Sequence, residues 1–267
     1  MTTPNPVDYS EYGIALDPHA DKNTVVTASG VGPFRFKDPA PLLGAFLNNS
    51  IGYGINEDFC GTAVASGVIS GWAKAETGTG THVATDGAGG IFLSATGTTD
   101  NNDVYHSTAN ECFLFAADKP LYFDIKVTFA AGSTAGKCGF IAGVSDTVAA
   151  DSLTDSGAVM SSFDGCVIAR EEDASVFNMI ASNATTQTET TFGTVVESTE
   201  YRLGFMFDPN DGTTGYCYAF LDGEPVGSPI AITLSGLAEM HAFFGFKTFE
   251  AAAATGTVDW VRCFQVR

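Results

Sequence analysis

Leu121-Tyr122-Phe123-Asp124-Ile125-Lys126-Val127-Thr128-Phe129 decides the fold class. In an extended chain Leu121, Phe123, Ile125, Val127 and Phe129 fall on one face, and Asp124, Lys126 and Thr128 on the other. A period of two with one apolar side marks a half-buried antiparallel strand. The alternation returns in Tyr201-Arg202-Leu203-Gly204-Phe205-Met206-Phe207, in Tyr216-Cys217-Tyr218-Ala219-Phe220-Leu221 and in the closing stretch 258–266. Turn chemistry joins these runs: 208–215 is built from Asp, Pro, Asn and Gly, and Asp222-Gly223 is a pair that favours a type I′ reversal.

Shorter strands are predicted at 62–69, 72–76, 90–95, 111–116, 138–144, 166–170, 175–181 and 188–192. The stretch 145–163 reads as a long loop of small residues, with a helical turn at 147–153 as its only regular feature. Something like a dozen strands with two-sided patterning must bury one face of each sheet against another. The expected fold class is therefore all-β, an antiparallel β-sandwich. Residues 1–50 are proline-rich and lack alternation, which suits an extended N-terminal arm, whereas 51–267 form the sandwich, with 51–119 a less regular subregion.

Composition narrows the partners. The chain has 267 residues, 45% of them hydrophobic, with 21 Phe, enough to fill a sizeable core. Its 12 Lys plus Arg against 31 Asp plus Glu give a net charge of −19. Such a surface repels phosphate backbones and anionic headgroups, so neither nucleic acid nor membrane is expected as a partner. No apolar stretch reaches the ~18 residues of a membrane span. Cys60, Cys112, Cys138, Cys166, Cys217 and Cys263 are dispersed singly, which reads as reduced, buried thiols, with three disulfides as the alternative for an exported chain.

Residue constellations for catalysis are thin. Glu171-Glu172-Asp173 is contiguous after a strand, so its side chains cannot share one groove and a solvated turn is expected. Retaining and inverting glycosidases need two facing carboxylates, and no Glu-x-Asp-x-x-Glu strand occurs. His19, His82, His106 and His241 have no partners at metal-ligand spacing in the sequence. Asp208, Asn210 and Asp211, like Asp100, Asn102 and Asp103, sit in turns that Asx residues favour without any ion. No Gly-x-Ser-x-Gly elbow is present. No catalytic residue, metal or cofactor is therefore expected. Trp72, Tyr53, Tyr105, Tyr122 and Tyr216 are candidates for stacking on a sugar, but Trp72 and Trp260 lie in strand patterns that point to core packing.

The order of several local patterns carries a family resemblance. They are Leu121-Tyr122-Phe123-Asp124-Ile125-Lys126-Val127, Gly139-Phe140-Ile141-Ala142-Gly143-Val144, Tyr201-Arg202-Leu203-Gly204-Phe205, Phe220-Leu221-Asp222-Gly223-Glu224 and Phe243-Phe244-Gly245-Phe246-Lys247 before Val258-Asp259-Trp260. From Leu121 to Arg267 the chain resembles concanavalin A-like, or lectin/laminin-G-like, jelly-roll domains, in particular those of tailed-bacteriophage virion proteins. The resemblance implies a non-enzymatic capsid decoration (cement) protein that binds the major capsid protein and stabilises the head. It further implies a homotrimer, with a dimer as the alternative, placed on the capsid surface of the virion after assembly in the host cytoplasm. Phe34, Arg35, Phe36, Lys37, Leu42, Leu43 and Phe46 in the arm are the expected capsid contacts, because aromatic and arginine anchors occupy desolvated interface centres. The alternative function is a carbohydrate-binding virion module that recognises a host glycan, and a glycoside hydrolase stands third.

Overall fold

The computed structural model describes residues 52–60, 64–85 and 90–266, together with the backbone of four short strands nearer the N-terminus. Those four are β1 (Asp8–Tyr9), β2 (Ile14–Ala15), β3 (Thr27–Ala28) and β4 (Val31–Pro33), paired antiparallel in chain order. The expected capsid contacts Phe34, Arg35, Phe36, Lys37, Leu42, Leu43 and Phe46 lie outside the described residues.

Two large antiparallel sheets face one another. The eight-stranded sheet runs in the order β19 (Glu224–Thr233), β18 (Thr214–Leu221), β17 (Glu200–Asp208), β12 (Leu121–Ala130), β21 (Thr255–Val266), β10 (Ile91–Ala95) and β9 (Thr81–Thr85). Its remaining strand, β5 (Gly52–Glu57), pairs with β21 from Val261 to Val266, beyond the part of β21 that β10 occupies. The seven-stranded sheet runs β16 (Thr186–Phe192), β15 (Phe177–Asn183), β14 (Gly165–Arg170), β13 (Cys138–Ser145), β20 (His241–Thr248), β11 (Asp103–Thr108) and β8 (Trp72–Thr77). A small hairpin, β6 (Val64–Ala65) with β7 (Val68–Ile69), completes the described strands. The region 52–119 therefore feeds both sheets.

The expected face of β12 builds the core. Leu121, Phe123, Ile125, Val127 and Phe129 are all buried, and Phe129 stacks on Phe140 of the opposite sheet with ring centroids 5.3 Å apart. Phe205 and Phe207 of β17 stack on Phe123 and Phe115 in the same layer. Burying side chains of this size contributes roughly 1.5–3 kcal/mol each, which fixes strand register as well as stability.

A second apolar cluster lies on the far side of the seven-stranded sheet. Tyr105, Ile141, Val167, Ala169, Ile180 and Phe243 point away from the main core and are covered by Leu153, Val159 and Phe163 from the loop 146–164. Polar pins hold that loop. Lys247, fully buried, donates to Asp151 Oδ1 (2.6 Å) and Asp155 Oδ1 (2.8 Å) and lies 3.7 Å from the buried Asp103 carboxylate. Asp103 accepts from the Thr77 and Asp151 amides, and Leu153 N donates to the Tyr105 hydroxyl. Burial alone would lower the Lys247 amine, but the three carboxylates hold it above its ordinary value.

The structure departs from the sequence expectation at definite places. Residues 111–116 are not a strand: a single bridge, Phe113 to Met240, ties them to β20's leading edge, while Phe113 and Phe115 turn inward. Cys112 consequently faces out, and Cys60 is exposed too, so only Cys138, Cys166, Cys217 and Cys263 are buried. The loop 146–164 has no helical turn, because its chain is spent on covering the sheet. Strands β5, β9 and β11 carry no alternation in the sequence, β11 because it is buried at every position, while the return strand after Asp222-Gly223 is β19, longer than a short return.

Candidate functional site

The outer face of the eight-stranded sheet is assembled from rows of residues in cross-strand register. One row reads Gly54, Phe264, Tyr122, Met206 and Tyr218, and the next reads Asn56, Arg262, Asp124, Gly204 and Phe220. A third sets Trp260, Lys126 and Arg202 side by side. Trp260 is here because β21 bulges against β12 between Lys126 and Val127. Strict alternation from Val258 would send Trp260 into the core. The extra residue at the bulge, Asp259, shifts the phase, so Val261 and Cys263 point inward and the partly buried Trp260 points out. The core placement expected for Trp260 is thus corrected, whereas Trp72 is buried as expected.

Two guanidiniums pack on the Trp260 ring, Arg262 4.2 Å and Arg202 5.3 Å from its centroid. Both guanidiniums are steadied from beneath. Arg202 forks onto Asp124 (Nη2 to Oδ2 2.7 Å, Nε to Oδ2 3.0 Å), and Arg262 Nε donates to Asn56 Oδ1 at 2.8 Å. These contacts fix the cations so that the indole keeps a defined orientation.

Beside the indole opens a cleft of about 300 Å³ lined by Ile91, Lys126, Val127, Thr128, Glu200, Thr257 and Asp259. Lys126 Nζ donates to Asp259 Oδ2 (2.8 Å) and lies 3.1 Å from Glu200 Oε1. The hydrogen bond to Asp259, with Glu200 adding to it, holds the Lys126 amine above its ordinary value and charged. The cleft thus offers two carboxylate acceptors, an ammonium donor and two threonine hydroxyls, and Lys126 and Asp259 tie it to Trp260 as its register partner and chain neighbour. Because one ammonium bridges both carboxylates, they form a tethered acceptor pair, net negative by one charge, and not a free acid facing a free nucleophile.

A second cluster joins residues that the sequence keeps far apart. Glu76 Oε1 lies 2.9 Å from His82 Nε2, His82 Nδ1 2.9 Å from Ser94 Oγ, and Ser94 Oγ 3.3 Å from His106 Nε2. The four come from β8, β9, β10 and β11, where the edges of the two sheets meet. Burial, with His82 and Lys74 adding to it, pushes the His106 imidazole down to about 3, and burial lowers His82 against the pull of Glu76. Ser94 and His106 are fully buried, and Phe92 and Phe244 pack on the His106 ring. The chain of contacts resembles a nucleophile relay in its order alone; a serine sealed in the core meets no substrate, and the cluster closes the edge of the sandwich.

The other sequence candidates occupy structural posts. Tyr105 is buried under the loop 146–164 and Tyr122 is 4% exposed, so neither offers a ring to a ligand. Tyr53 stacks on Phe113, and Tyr216 is half-buried on β18. Asp208 Oδ1 caps the Asn210 amide, and Asp211 Oδ1 accepts from Thr213 and Thr214. Glu172 and Asp173 both pair with Lys137, while Glu171 accepts from Val159. Among the described residues, no group of three or more His, Cys, Asp or Glu side chains is placed to hold a metal ion.

No protein-family model matches the chain. No curated protein matches it either. Solved structures share its architecture at low identity. The carbohydrate recognition domain of Emp46p in its potassium-bound form superposes with a TM-score of 0.54 at 11% identity, covering 78% of this chain and 94% of that one. The lectin UEA-II, solved with galactose, gives 0.53 at 8% identity over 79% and 98%. An endo-β-1,4-glucuronan lyase from Trichoderma reesei gives 0.50 at 10% identity over 78% and 94%. At these identities the likeness establishes fold alone, and the fold is an antiparallel β-sandwich of the lectin-like, concanavalin A-like jelly-roll type.

Proposed function

We propose that this protein binds carbohydrate through the Trp260 face of its eight-stranded sheet. The observation that carries the reading is the partly buried, outward-facing indole, steadied by Arg202 and Arg262, whose register partner Lys126 and chain neighbour Asp259 line a cleft with Glu200, Thr128 and Thr257. A pyranose presents one face of C–H bonds and a rim of hydroxyls. The indole matches the first, and carboxylates, ammonium and threonine hydroxyls match the second. That a carbohydrate recognition domain and a galactose-bound lectin share the fold supports the same reading. No observation on the described residues favours the capsid-decoration reading over this one.

A glycan array probed with the full chain and with Trp260→Ala tests the proposal. Wild type is expected to give reproducible hits that Trp260→Ala weakens at least tenfold. An array without hits, with and without calcium, would sink the proposal, as would hits that Trp260→Ala retains at full strength.

A further inference from the structure

We infer that Cys166 of β14 and Cys217 of β18 are a disulfide site, whose oxidation bolts the two sheets together across the core. Both side chains are fully buried in the main core cluster. Alternation along β14 sends Val167 and Ala169 to the outer cluster and Cys166 inward, towards the eight-stranded sheet. Cys217 points inward from that sheet.

Sheet order and level along the strands place the two face to face. In one sheet β14 lies between β15 and β13, and in the other β18 and β17 lie between β19 and β12. Across the core β15 packs on β19 and β13 on β12, which sets β14 over β18 and β17. The level is fixed by Asn183 at the end of β15, whose Nδ2 donates to the carbonyls of Thr233 (2.8 Å) and Ser235 (3.0 Å) at and just past the end of β19. Two residues in from Asn183 is Ala181, the register partner of Cys166. Three residues in from Thr233 is Ile230, the register partner of Cys217. Packed sheets lie about 10 Å apart, whereas a disulfide wants its Cα atoms within about 7 Å. Small side chains let the layers approach here: Ala181 flanks Cys166, and Gly215 and Ala219 flank Cys217 on the core face of β18. The Cys217 thiol is accordingly the neighbour of the Cys166 thiol.

The bond forms by exchange with a small-molecule disulfide such as oxidised glutathione. One thiolate attacks it, the second displaces the attached half, and two reduced thiols leave carrying the electrons and both protons. Burial holds the Cys166 thiol well above its ordinary value, so the exchange belongs to folding, while the core is still open, and not to the finished molecule. Reduced, the sandwich depends on packing alone; oxidised, it gains a cross-link that closes a loop of about 50 residues and restricts the unfolded chain.

Oxidative refolding tests this on the full chain. The protein is unfolded under reducing conditions, refolded in a buffer of oxidised and reduced glutathione, and its cysteine pairing read by peptide mass mapping without reduction. A linked Cys166–Cys217 peptide pair is expected, together with a thermal midpoint about 5 °C or more above that of protein refolded reduced. Cys166→Ala and Cys217→Ala should each abolish the linked pair and the rise. The double variant Cys60→Ser and Cys112→Ser, which removes the exposed thiols, should keep both. Free Cys166 and Cys217 after oxidative refolding overturn the inference, and so does either thiol bonded to a different cysteine. A linked pair that lowers the midpoint overturns it equally, because the folded layers would then stand too far apart for the bond.

Discussion

The two sheets treat their outer faces in opposite ways. Behind the seven-stranded sheet, the loop 146–164 lays Leu153, Val159 and Phe163 over Tyr105, Ile141 and Phe243, which makes a second core. On the eight-stranded sheet the face grades from the buried row of Phe264, Tyr122 and Met206 to the open row of Trp260, Lys126 and Arg202. A face sealed by apolar packing contributes stability and has no room for a ligand. A face that keeps charged and aromatic groups in contact with water gives up some burial and gains a place for recognition.

The largest expected effect lies on the sealed side. Phe243→Ala should cost about 3–5 kcal/mol in denaturant unfolding, because it empties the contact between β20 and the covering loop. Next comes Lys247→Met, expected to cost about 3 kcal/mol, since it leaves the fully buried Asp103 without its cation. A loss below about 1 kcal/mol in both would break the contrast between the faces, for the loop would then be an ornament.

A third expectation concerns the polar seam between the sheets. The His106 imidazole is held near 3 in the folded state, below its unfolded value, so the unfolded chain binds the extra proton first as pH falls. Stability from this group is complete above about pH 6.5 and is lost as pH drops towards 3, by about 2 kcal/mol between pH 7 and pH 5. His106→Phe should flatten that part of the stability profile, measured by urea unfolding at a series of pH values; parallel profiles for wild type and variant would refute the assignment. The smallest effect is expected on the open face, where Trp260→Ala should change stability by about 1 kcal/mol or less while removing glycan binding. A large stability loss there would show that Trp260 serves packing and not recognition.

Legibility in the sequence followed burial. Strands with polar or small residues between the core-facing ones, such as β12, β17 and β18, alternate in the sequence, and the pattern gives their ends to within two residues even where the outer row is also buried. Strands buried on both sides, such as β11, lose the alternation because both faces demand apolar or paired residues. Trp260 was misassigned for a different reason: one bulged residue inverts every side chain beyond it, and nothing local in Val258-Asp259-Trp260-Val261 announces the bulge. Glu76, His82, Ser94 and His106 could not be grouped from spacing, since four strands from two sheets bring them together.

Sequence by itself determined the class of architecture, because alternation with a period of two and Asp-Gly reversals commit the chain locally to antiparallel sheet before any partner is chosen. It also determined the sign of the surface, since net charge is a sum over residues. Only the tertiary structure decided which outer face is sealed and which is open, and therefore where Trp260, Arg202, Arg262, Lys126 and Asp259 meet. Those residues lie on three strands, β12, β17 and β21, and their meeting depends on cross-strand register and one bulge, which are set by how the core packs and not by any stretch of chain alone.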